Sequence, residues 1–170
     1  MVDSRSSSLS ELARLGFEAL SETVPKLEQL VKLVGDRGRG ALAAISASSS
    51  PDRALDSLIR LAEKDPKALS KILAKHDQTE RLCRVIAASN GLADFLLRHP
   101  QLLSLFASQA RIPASEQLLM LDDSSQDALK VSYLTQLVRI TDFDLGHSDY
   151  KAPVQAVTAA LSDLAAGALE

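Results

Sequence analysis

The 170-residue sequence predicts an all-α protein, an irregular multi-helix bundle of short amphipathic helices. Apolar residues recur at three- and four-residue spacing along the chain, while the strict alternation of half-buried strands is missing. Helix-start signals crowd together, with three in about thirty residues of the middle third, which divides that stretch into several short helices. Seven glycines and six prolines are also too few for the many turns of a sandwich or barrel.

In chain order, residues 1–8, with Ser6, Ser7 and Ser8 in a row, read as a flexible N-terminal arm. Ser8-x-x-Glu11 then has the form of a capping box that opens a short helix ended by Gly16. "ETVPKLEQLVKLVG" carries Leu27, Leu30, Val31 and Val34 on one helical face, with Gly35 as its stop. "DRGRG" reads as a flexible turn, and Ser48-Ser49-Ser50 as a loop.

Ser50 and Pro51 occupy the N-cap and first-turn positions of a helix with Leu55, Leu58, Ile59 and Ala62 inside. Asp65-Pro66 repeats the start signal, and Asp77-x-x-Glu80 repeats it for a helix with Leu82, Val85, Ile86 and Ser89 in register. The next helix begins near Asn90 and presents Leu92, Phe95 and Leu96. Proline disfavours helical geometry at the residue before it, so the chain breaks at His99 and restarts at Pro100. A last pair of helices carries Leu134, Leu137, Val138, Thr141 and Leu145, then Val154, Val157, Leu161 and Leu164. Seven to nine helices and no strand are expected, in one domain over 9–170.

Composition narrows the function classes. A net charge of -3 gives no general attraction to phosphate backbones or anionic lipid, so neither nucleic acid nor membrane is expected as a partner. The start has no apolar secretory core, and no run approaches the roughly 18 apolar residues of a membrane span. A cytoplasmic location follows. Cys83 is the only cysteine, which rules out an internal disulfide and a cysteine-based zinc site.

The chemistry-bearing residues read as structural. Cys83 lies beside core positions on an amphipathic helix, where a free cysteine acts as a small hydrophobe. Asp142 and Asp144, two apart on a helix, point to different sides and do not make a magnesium pair. His76, His99 and His147 fall in inter-helix turns without ligands or a nucleophile beside them. "GDRGRG" lacks the lysine and spacing of a P-loop. No residue is assigned as catalytic, cofactor-binding or metal-binding.

Several stretches in order, "SLSELARLGF", "SPDRALDSLIRLAEKD", "RLCRVIAASNGLADFLLRHPQLLSLF", "LKVSYLTQLVRITDFDLG" and "LSDLAAGALE", resemble the N-terminal region of bacterial bifunctional glutamine synthetase adenylyltransferases. The most specific matches are Ser89 with Arg98-His99-Pro100, and Arg139 with Asp144, which are taken as structural family signatures. Tyr133, Thr135 and Gln136 depart from the arginines usual in the last segment. The resemblance implies a parent enzyme that adds AMP to a tyrosine of glutamine synthetase and removes it, using ATP and magnesium. It implies as partners the parent's own downstream catalytic domain, glutamine synthetase and the PII signalling protein. The nucleotidyltransferase motif of the family has no counterpart here, so the chain is expected to precede the first catalytic domain and to be non-catalytic alone. Two alternatives stand beside this reading: a freestanding helical adaptor that binds another protein's helix, and a small hydrolase, which would need a deep pocket of convergent polar groups.

Overall fold

A computed structural model describes residues 3–149 and 151–169. The described residues form eleven α-helices and one 3-10 segment, with no strand among them. They fall into two compact units that divide after Ala107, where the sequence suggested a single domain over 9–170.

The first unit holds α1 (Asp3–Arg14), α2 (Leu20–Val34), α3 (Asp36–Gly40), α4 (Leu42–Ser46), α5 (Pro51–Lys64), α6 (Pro66–Ile72), α7 (His76–Ala88), α8 (Asn90–Arg98) and the 3-10 segment Pro100–Ala107. Helix α5 is its centre and packs against α2, α4, α6, α7 and α8. That position explains why Ala54, Leu55, Leu58, Leu61 and Ala62 are all buried, a wider apolar face than the inner stripe needs. Around α5 the core closes with Leu30, Ile45, Leu69, Leu82, Ile86, Phe95 and Leu96.

The start signal at Asp65 acts as expected: its carboxylate accepts from the Ala68 amide at 2.9 Å, satisfying a donor that has no partner within its helix. Ser50 takes the N-cap position of α5 without a side-chain hydrogen bond. Ser89, expected in register on the preceding helix, lies just beyond α7 and instead caps α8, where its hydroxyl accepts from the Leu92 amide at 3.3 Å. The start of α2 is capped from another helix, because Asp52 of α5 accepts from the Glu18 amide at 2.8 Å.

Other local expectations are corrected. Of the expected flexible arm, residues 1 and 2 lie outside the described residues, and from Asp3 onward the backbone is helical. Ser8 therefore lies within α1 and does not cap it. Once a turn is nucleated, extension back through polar residues gains a hydrogen bond for each residue fixed.

"DRGRG" is no flexible turn but the short helix α3. Its Gly38 lies so close to α2 that a Cβ there would sit 3.1 Å from the Leu30 carbonyl carbon and the Val31 nitrogen. The turn itself belongs to Gly35, at φ +70°. Helix α7 begins at His76, so Asp77 occupies its first turn and not the N-cap.

The second unit holds α9 (Ser115–Leu119), α10 (Gln126–Asp144) and α11 (Val154–Gly167). Leu118, Ile140, Ala160 and Leu164 form its core, flanked by Ile112, Tyr133, Leu137 and Val157. Two expected stripes shift. On α10, Ile140 is buried as well as Val138, and Leu134, Leu137, Thr141 and Leu145 are only half-buried. Buried positions two residues apart lie on different sides of a helix, so α10 is covered on more than one side. On α11 the buried positions are Ala160 and Leu164, while Val154 is 51% and Leu161 42% exposed. Small residues decide this, since Gly167 brings α11 against the backbone of Leu118 and Leu119 in α9.

Candidate functional site

In the first unit a groove of about 480 Å³ lies between α1 and α2 and is completed by Arg39 of α3 and Leu42 of α4. Its apolar lining comes from Leu12 of α1, Leu15 in the turn that follows it, and Val24, Leu27 and Val31 of α2. The α2 positions are spaced three and four apart and so form one stripe along the helix. Glu11, Glu28, Lys32 and Arg39 stand at its exposed margin.

The apolar face of α2 is accordingly split. Leu30 and Val34 enter the core, whereas Leu27 and Val31, expected beside them, stay half-buried along the groove.

A second cleft, of about 490 Å³, is polar and runs between α5 and α8. Its charges are largely spent on structure: Arg60 pairs with Asp94 at 3.0 Å, Asp56 with Lys26 at 2.9 Å, and Arg53 donates to the Ala87 carbonyl at 2.9 Å. Contacts with Asp56 and then Glu22 hold the Lys26 ammonium above its ordinary pKa.

The signature residues take separate places. Ser89 caps the start of α8, and His99 closes its end, with its ring centroid 4.9 Å from that of Phe95. Arg98 turns back to the Asp94 carbonyl at 3.2 Å. Pro100 opens a 3-10 segment, not an α-helix. Three residues per turn bring Leu103 and Phe106 to one side, and both are buried. The end of that segment is capped from α7: Gln78 donates to the Ala107 carbonyl and Arg81 to the Phe106 carbonyl, each at 3.3 Å. The Arg81 guanidinium also stands 6.0 Å over the Phe106 ring. Arg139 and Asp144 are exposed on α10.

The remaining candidates stay apart. Cys83 is fully buried, and burial, with a smaller contribution from Glu80, pushes its thiol up to about 12. His76 is no turn residue but the first residue of α7, 3.2 Å from Glu80. His147 follows α10 and its Nδ1 lies 2.8 Å from the Phe143 carbonyl. Asp142 is buried while Asp144 is exposed. Among the described residues no three of His, Cys, Asp or Glu gather as metal ligands would, and no helix is long and apolar enough to cross a membrane.

Fold and surface together define an all-α segment that carries an open apolar groove with a charged margin and a polar cleft of similar volume. Its relatives are more particular. The chain is 36% identical to the bifunctional glutamine synthetase adenylyltransferase/adenylyl-removing enzyme of Leifsonia xyli, over 96% of this chain and 18% of that protein. It is 30% identical to the enzyme of the same name from Streptomyces avermitilis, over 97% of this chain and 17% of that one. With the enzyme of that name from Streptomyces coelicolor it shares 37% identity over 56% of its length. No family model and no solved structure matches it. The chain is thus a homologue of a fragment of the bifunctional glutamine synthetase adenylyltransferases and spans less than a fifth of the relatives' length.

Proposed function

We propose that this chain is the N-terminal, non-catalytic helical region of a glutamine synthetase adenylyltransferase, and that it packs on the parent's first catalytic domain in the cytoplasm. One observation carries the reading: similarity extends over nearly all of the chain yet over only 17–18% of relatives named for adding and removing AMP. The parent would act on a tyrosine of glutamine synthetase with ATP and magnesium, and the helical region would help it engage that substrate or the PII protein. The donor set here does not suit magnesium, because Asp142 is buried and Asp144 exposed, and no third ligand joins them among the described residues. No chemical step is therefore assigned to this chain.

The test is direct. The purified chain, incubated with glutamine synthetase, ATP and magnesium, should incorporate no AMP into the synthetase. Robust transfer by the chain alone would overturn the reading. A reading frame that continues past residue 170 into a nucleotidyltransferase segment would support it, and a stop codon there would favour the freestanding adaptor instead.

A further inference from the structure

We propose that the outward face of α11 is a docking surface, and that the segment following residue 170 in the parent enzyme lies against it. This assignment rests on the adenylyltransferase reading above and names the face through which the chain meets the rest of its parent.

Helix α11 is apolar on both sides. Inward, Ala160 and Leu164 are buried, and Gly167 lies against the backbone of α9. Outward, Val154, Thr158, Leu161 and Ala165 follow at four-, three- and four-residue spacing, which sets them in one stripe along the helix. All four are exposed, Val154 by 51% and Leu161 by 42%. Charge is nearly missing: from Val154 to Gly167 the one ionisable side chain is Asp163, and it is partly buried. Helix α5 makes the contrast, since opposite its buried face it exposes Arg53, Arg60, Glu63 and Lys64 to solvent. A helix that is apolar and uncharged nearly all round belongs inside a larger packed structure.

The rest of the second unit agrees. Its buried core is only Leu118, Ile140, Ala160 and Leu164, which is small for a unit of three helices. Large apolar side chains are left outside instead. Leu119, Met120 and Leu169 gather where Gly167 holds the end of α11 against the end of α9, and Met120 is 81% exposed.

Three observations select the occupant. Most of the parent lies outside this chain, because the similarity covers only 18% and 17% of the two relatives matched along nearly its full length. In the parent, residues that directly follow α11 are tethered beside this face and so reach it at high effective concentration. At 14 residues α11 is too short to cross a bilayer, which leaves protein as the cover.

The test places a thiol on the stripe through Leu161→Cys, with Thr158→Cys as a second position, in the 170-residue protein and in the full-length parent. Maleimide labelling is followed by peptide mass mapping, with buried Cys83 as the unreactive reference. The introduced thiol is expected to label rapidly in the 170-residue protein and at least about tenfold more slowly in the parent. Leu161→Asp should leave the melting midpoint of the 170-residue protein unchanged and make the parent more susceptible to limited proteolysis after residue 170. Equal labelling in both proteins at both positions would overturn this docking face and leave the adenylyltransferase reading standing. A reading frame that stops at residue 170 would remove both. Slow labelling in the 170-residue protein itself would also overturn the proposal, with a dimer in sedimentation identifying a second copy as the cover and a monomer identifying the chain's own residues.

Discussion

Cys83 illustrates how strongly surroundings set a side chain's chemistry. With the thiol fully buried and its pKa raised to about 12, the nucleophilic thiolate is scarce at neutral pH. Iodoacetamide should leave Cys83 unmodified in the native protein and alkylate it once the chain is unfolded in denaturant; rapid native alkylation would refute this. The same shift makes stability depend on pH. The unfolded thiol ionises near 9.0 and the folded one near 12, so its contribution is intact below pH 9 and declines as pH rises toward 12. Between pH 9 and 11 the denaturation midpoint of the native sequence should fall more steeply than that of Cys83→Ala. Phe95 and His99 form a second contrast. Phe95 is fully buried, so Phe95→Ala should cost about 3–5 kcal/mol. His99→Ala, which removes a half-buried ring packed on Phe95, should cost on the order of 1 kcal/mol. Denaturant melts of the two variants rank these effects.

At the scale of elements, small residues decide which helices can approach. Gly167 and Gly40 are opposite cases. Neither has a positive φ, so helix propensity alone predicts that alanine stabilises each by up to about 1 kcal/mol. At Gly167, however, a Cβ would run into the Leu118 carbonyl oxygen and lie 2.8 Å from the Leu119 Cα. Backbone cannot move aside as a flexible side chain can. Gly167→Ala should therefore destabilise by about 1–3 kcal/mol, whereas Gly40→Ala, with nothing within 4 Å, should be neutral or slightly stabilising. Thermal melts that showed both substitutions equally benign would refute the close packing of α9 and α11. Pro100 acts through the chain break itself: its fixed φ limits the unfolded ensemble, and Pro100→Ala should cost about 1 kcal/mol.

Across the molecule, the described residues are helical wherever they are regular, and the far-UV circular dichroism spectrum should show the double minimum of α-helix. A β-dominated spectrum would contradict the fold. Much of this was legible locally. The cap at Asp65 and the break at His99-Pro100 arise from interactions within a few residues, and helical periodicity marked the apolar faces of α5 and α8 that packing then buries. The groove was less so. Leu27, Leu30, Val31 and Val34 look equivalent in periodicity, and only packing against the neighbouring helices separates the two that are buried from the two that border the groove.

The sequence by itself determined the helical class, most of the helix starts and stops, and the kinship with the glutamine synthetase adenylyltransferases. These rest on backbone hydrogen bonding, side-chain caps and residue identity, all of which act at short range or are read directly along the chain. Tertiary structure alone decided that "DRGRG" is a helix pressed on α2, that the chain divides into two units, and that α11 buries Ala160 instead of Leu161. It also decided which charges are paired, as Lys26 is with Glu22 and Asp56. Such outcomes depend on which surfaces meet across many residues of intervening chain, and helical periodicity reports that a face is apolar without saying what covers it.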